Sequence, residues 1–168
     1  MNPAIQAALW RQFSAGVDML ANAVANCPDA YYASNKRFYY MAYHTSLFLD
    51  YYLTVPPADF NPLLPFADVA DRPPEALDDL IPERFYTKEE LLAWIAGSCR
   101  KSHTLIHTLS DAVEQQRFTE DMDTDAMDYP VFEIILYNLR HVQHHAAQLN
   151  LMMRQDLGEH REWVFRGE

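Results

Sequence analysis

Proline placement constrains this chain more than any other feature. Seven of its ten prolines fall between Val55 and Tyr86, and the others are Pro3, Pro28 and Pro130. Inside a helix, proline removes a hydrogen bond and clashes with the preceding turn, so long helices must lie between these points. The intervening stretches repeat apolar residues every three or four positions, the helical period. The spacing predicts a first helix over 3–26, with Asn2 as N-cap and Pro3 in the first turn. Its buried stripe reads Ile5, Leu9, Phe13, Val17, Leu20 and Val24, and Cys27-Pro28-Asp29 ends it. A second helix is expected over 35–54, stopping before Pro56-Pro57. A third, over 88–117, opens on Thr87-Lys88-Glu89-Glu90, a capping box in sequence terms. Leu92, Ile95, Cys99, Ile106, Leu109 and Val113 mark its inward face. The fourth runs over 130–157, with Gly158 as a left-handed cap. Four such helices predict an all-α four-helix bundle, formed as one domain over 1–168.

The connection from Val55 to Tyr86 is far longer than the usual 2–8 residues between bundled helices. It carries Phe60, Leu63, Leu64, Phe66, Leu80, Ile81 and Phe85, which a flexible linker would lack. This Pro-rich segment between helices 2 and 3 is therefore expected to pack over one side of the bundle and help shape a pocket.

Composition excludes several function classes. Four glycines leave little scope for phosphate-cradling loops. A net charge of −11 disfavours nucleic acid and anionic membrane as partners, since both are bound by clustered Lys and Arg. Cys27 and Cys99 form no metal or redox spacing. The first apolar stretch contains Arg11 and Asp18 and has no basic start, unlike a signal peptide. No apolar run reaches the roughly 18 residues of a membrane span. A reducing, cytoplasmic location is the expectation.

Seven histidines would produce fewer than one i,i+4 pair by chance, yet the chain has two, His103/His107 and His141/His145. On a helical wheel, His103 and His107 share a stripe with Ala96, Arg100, Ser110 and Glu114, a solvated face. His141 and His145 share theirs with Ile134, Asn138 and Met152, at the margin of an apolar arc. His44 lies among Tyr40, Met41, Phe48 and Tyr51, inside an apolar arc of its own. Two readings remain open. In one, His44, His141 and His145 converge on a divalent metal, zinc first, with nickel, iron or manganese as alternatives. In the other, His44 is a hydrogen-bonded core histidine and the pair is a polar helix edge. His144 is turned away from the pair by about one residue's rotation, roughly 100°. Asn138 and Gln148 are candidates to orient the ring nitrogens facing away from a metal. Without metal, three interior imidazoles are expected to protonate between pH 7 and 5 and destabilise the fold.

Rival sites are weaker. No Glu-x-x-His repeat supports a ferritin-like dinuclear centre. A haemerythrin-like site using His107 and Asp111 would require the third helix to turn its polar face inward. Asp121-x-Asp123-x-Asp125 begins like a calcium loop, but Ala126 and Phe132 occupy the positions that call for Gly and a bidentate Glu. Cys99 lies on a buried stripe, where thiols are inert. Tyr40, Tyr43 and Tyr51 could offer hydroxyls to a ligand near His44. Asp50, six residues beyond His44, is placed near the opposite face.

The two histidine segments, Tyr43-His44-Thr45 and His141 to Gln148, together resemble the DinB/YfiT-like family of four-helix bundles. In that family a histidine on the second helix joins an H-x3-H pair on the fourth, which often continues Arg-Gly-Gln. Here Ala146 and Ala147 stand where Arg and Gly are common, and Gln148 is kept. The resemblance implies a three-histidine metal site at His44, His141 and His145 and a homodimer joined through helix faces. It also implies a small-molecule partner, since members include transferases and isomerases that use low-molecular-weight thiols such as mycothiol or bacillithiol. The abundance of aromatics on the second helix is a further, weaker reason to expect a dimer. Three neutral imidazoles leave a divalent ion its full charge, which favours ionising a bound water or a thiol. Hydrolysis and thiol transfer both follow from that. The rival from a different class is a non-catalytic bundle, whose metal would be closed off by a fourth protein ligand.

Overall fold

The computed structural model describes residues 1–120, 126–158 and 162–167 and is mainly helical. α1 (Pro3–Asn26) starts as expected, with the Asn2 side chain accepting from the Ala4 N–H at 2.8 Å. The next helical stretch divides in two. A short α2 (Asp29–Ser34) breaks at Asn35, whose side chain accepts from the Phe38 N–H and caps α3 (Lys36–Tyr51). α3 ends at Tyr51 rather than 54. Leu53 and Thr54 tighten into i,i+3 bonds with Asp50 and Tyr51 ahead of the prolines.

The long connection packs against the helices, with one 3₁₀ turn (Pro57–Asp59) and two short strands, β1 (Phe66–Asp68) and β2 (Leu80–Pro82). The strands pair antiparallel, with Phe66 opposite Pro82. Leu64 and Tyr86 are its buried anchors, whereas Leu63 and Phe85 are exposed. Tyrosine hydroxyls hold its backbone. Tyr43 Oη donates to the carbonyls of Leu64 at 2.7 Å and Pro65 at 3.1 Å, and Tyr39 Oη donates to that of Arg84 at 3.0 Å. These bonds satisfy loop carbonyls that burial would otherwise leave unpaired.

α4 (Lys88–His107) opens with the expected capping box, Thr87 and Glu90 each bonding the other's backbone N–H. It stops ten residues short of the expected 117. Thr108 Oγ1 turns back to the Thr104 and Leu105 carbonyls, and Ser110 caps a new single turn, α5 (Asp111–Glu114). These side chains compete for the backbone bonds that would have continued the helix. β3 (Arg117–Thr119) and β4 (Asp128–Pro130) then pair antiparallel, so the described residues include two small sheets that the helical period does not foretell. The acidic run 121–125 lies outside the described residues. α6 (Val131–Leu157) ends on Gly158 at φ 71°, the left-handed cap.

α1 and α3 each pack on both α4 and α6. Phe13, Leu20, Leu47, Trp94, Ile106, Ile135 and Leu149 fill the space between. At Gly16, α1 approaches α6 so closely that a Cβ would sit 3.1 Å from Leu139 Cδ1. Phe38, Tyr39 and Tyr43 are buried in this same core, and Tyr52, just past α3, in a second cluster with Phe118 and Ile134, so these aromatics do not form a free patch. Among the described residues no helix is long and apolar enough to cross a membrane. Ile5 is 55% exposed, outside the stripe it was assigned to, and Ile135 is fully buried. Ile135→Ala should therefore cost about 2–5 kcal/mol in urea unfolding, and Ile5→Ala less than about 0.5 kcal/mol.

Candidate metal centre

α3 and α6 bring three imidazoles into one place. A buried tether sets the two helices side by side, with Asn138 Nδ2 donating to the Leu49 carbonyl at 2.9 Å. His44 on α3 then meets His141 and His145 on α6. Ring centroids are 5.1 Å apart for His44 and His141, 4.8 Å for His44 and His145, and 4.6 Å for the α6 pair. His44 Nε2 lies 3.0 Å from His141 Nε2, and one ligand atom from each of the three falls within 4.8 Å of the others. Zinc–nitrogen bonds of about 2.0–2.1 Å in a tetrahedron would space ligand atoms roughly 3.3 Å apart. The observed separations, from 3.0 Å up to 4.8 Å, bracket that spacing, so the donor set fits a divalent ion.

The far side of each ring decides which nitrogen is free. His44 Nδ1 faces Asp78 Oδ2 at 2.5 Å, and His145 Nδ1 donates to Gln148 Oε1 at 2.7 Å. Both acceptors keep the Nδ1 proton and leave an Nε2 lone pair pointing inward. Gln148 thus has the role expected of it. Asn138 does not, because it is committed to Leu49 and does not touch His141. His141 Nδ1 is buried with no hydrogen-bond partner among the described residues, so without metal its ring proton sits on Nε2 and is donated to the His44 Nε2 lone pair 3.0 Å away. Asp78 had no sequence signal. It is one of several carboxylates in the long connection, 34 residues from His44, and only the packing of that segment brings it there.

The surroundings are apolar. Phe48 lies 4.7 Å from His44 and 5.7 Å from His141, and Tyr52 is 5.8 Å from His141, centroid to centroid. Burial lowers the His141 pKa to about 3 and that of His145 to about 4, and the neighbouring histidines add to the shift. The expectation that these rings protonate between pH 7 and 5 is thereby corrected. In the folded chain His141 and His145 stay neutral across that range, the state a metal ligand requires.

The other sequence candidates separate from this cluster. His103 and His107 are exposed and stack on each other at 3.9 Å, with Trp10 edge-on to His103 at 4.7 Å. The face of α4 that a haemerythrin-like site would have turned inward is on the surface. Asp50 accepts from Lys101 Nζ at 2.6 Å and Trp94 Nε1 at 2.8 Å, away from the cluster. Tyr43 is spent on the connection and Tyr51 donates to Glu120 at 2.7 Å. Burial raises the Cys99 pKa, which keeps it a thiol. His144 is exposed beside His145 but outside the trio. No fourth ligand joins the three histidines among the described residues. An open cleft of about 490 Å³ borders His141, lined also by Tyr137, Arg140, Gln143 and His144.

Comparisons with protein-family models, curated proteins and solved structures give no match.

The lowered pKa values make metal-free protein sensitive to acid. The unfolded chain takes up protons at His145 and His141 near pH 6.5, whereas the folded chain refuses them until about pH 4 at His145 and about pH 3 at His141. Their contribution to stability is complete above about pH 6.5 and is lost as pH falls from there towards 4 and 3. Urea unfolding in chelator should therefore show lower stability at pH 5 than at pH 7. The difference should shrink in His145→Gln.

Proposed function

We propose that this chain is a metal-dependent enzyme, a DinB/YfiT-like four-helix bundle forming one domain over 1–168. Its ligands are His44, His141 and His145. The observation that carries this reading is the convergence of three imidazoles from two helices, two of them presenting Nε2 lone pairs because Asp78 and Gln148 hold the opposite nitrogens. Zinc suits three neutral nitrogens, and nickel, iron or manganese would also bind them. A divalent ion held this way supplies a Lewis acid that ionises a water or a thiol.

The protein's own part is positional. Asp78 and Gln148 orient two ligands, and Phe48 and Tyr52 exclude water from the ring faces. The cleft beside His141 admits a small molecule. Transfer to or from a low-molecular-weight thiol is the reaction we favour, with hydrolysis as its variant. The cleft favours both over the non-catalytic reading, since a structural site is closed by a fourth protein ligand. We place the protein in the cytoplasm, acting on small molecules rather than nucleic acid or membrane.

Purified protein should contain about one divalent ion per chain by metal analysis. His141→Ala should remove most of it, and His103→Ala should not. Asp78→Asn should keep the fold and weaken metal affinity about 10–100-fold, the usual effect of losing an orienting partner. Loss of metal from the His103 variant alone would refute the choice of site. Absence of turnover across a broad screen of thiols, electrophiles and esters would favour the non-catalytic bundle.

The same reading includes a homodimer. Sedimentation equilibrium should then give about twice the 19.5 kDa chain mass. A single-chain mass at micromolar concentration would remove that part.

A further inference from the structure

We propose that the cleft beside His141 is an anion subsite, and that the small molecule handled here carries a carboxylate bound by Arg140. This rests on the metal-site reading above and adds the substrate class to it. The cleft volume, about 490 Å³, lies within the range of small-molecule sites. His141 forms one wall, so an occupant lies against the histidine cluster. Tyr137, Arg140, Gln143 and His144 supply the rest, and none is acidic. All five belong to α6, so no other element covers the cleft among its lining residues. Its occupant keeps one side in water, which suits a polar molecule rather than an apolar one.

Charge selects further. The chain has 24 acidic residues against 13 basic ones. Arg84 is paired with Glu90 and Arg117 with Asp128. Arg140 is exposed and makes no hydrogen bond or ion pair among the described residues. A planar guanidinium matches a carboxylate with two parallel hydrogen bonds. Three neutral ligands leave a divalent ion's charge uncompensated, so the neighbourhood of Arg140 attracts anions when metal is bound. Asp78 keeps its negative charge and offsets part of the ion's through His44, but it is not among the residues that line the cleft. One guanidinium matches the single charge of a carboxylate. A phosphate dianion would find no second Lys or Arg in the lining. Arg140 and His141 are turned about 100° apart on α6, yet both line the same cleft, so a short molecule can meet the guanidinium at one end and reach the cluster with the other.

The test is calorimetric titration of zinc-loaded protein, with zinc content measured first so that failure of the metal reading is seen separately. The ligands are 3-mercaptopropionate, 2-mercaptoethanol and propionate. In the wild type, 3-mercaptopropionate should bind at least tenfold more tightly than 2-mercaptoethanol. Arg140→Gln, an exposed change, should abolish that preference while zinc content and 2-mercaptoethanol affinity stay the same. Equal affinities in the wild type, or a preference that survives in the variant, would overturn the proposal. If neither thiol binds, thiol transfer is refuted and propionate decides the subsite. Propionate binding to wild type but not to Arg140→Gln sustains it, and any other propionate result sinks it.

Discussion

α3 and α6 can lie together here because His141 and His145 are neutral. Two or three cationic rings packed at centroid distances of 4.6–5.1 Å, with Phe48 and Tyr52 against them, would repel one another in a poorly solvated space. The fold meets this constraint by burial, which pushes His141 and His145 well below the usual histidine range. The condition that lets the two helices touch also provides free nitrogen lone pairs. Packing and metal competence are thus one electrostatic requirement.

The helices supply the ligands, and irregular structure supplies part of their orientation. α6 carries His145 and its partner Gln148 on neighbouring turns, so that pair depends only on helical spacing. His44 has no such local partner. Asp78 reaches it from the long connection, just ahead of β2, in a segment that Tyr39 and Tyr43 grip by its carbonyls. Order in Val55–Tyr86 and orientation of His44 are therefore linked through one short contact. His141, at the edge of the cleft, has no partner on its outer nitrogen among the described residues.

Periodicity places helices well where apolar residues alone decide, and less well where short polar side chains intervene. Asn35 caps α3 and separates it from α2, and Thr108 and Ser110 end α4 and start α5. The apolar stripe of the third helix continues through Leu109 and Val113, so the break is invisible to hydrophobic spacing. It is carried by hydroxyls that bond the backbone locally. The paired strands escape for a related reason. Three-residue strands in a loop are too short to show an alternating pattern.

The sequence by itself determined where the long helices lie, how α1 and α4 begin and how α1 and α6 end, through Asn2, Thr87, Glu90, Gly158 and the prolines, because capping and breaking are local. It also determined that His141 and His145 share a face and that His103 and His107 look outward, since one helical wheel contains that information. His44 could be placed on an apolar arc, but no spacing rule connects residues 97 positions apart. That His44 meets the α6 pair was decided by the packing of α3 on α6. That Asp78 holds its far nitrogen was decided by the folding of a proline-rich segment against α3. Contacts between distant segments depend on helix rotation and approach, and those are set by the whole core, whose interactions no short stretch of sequence contains.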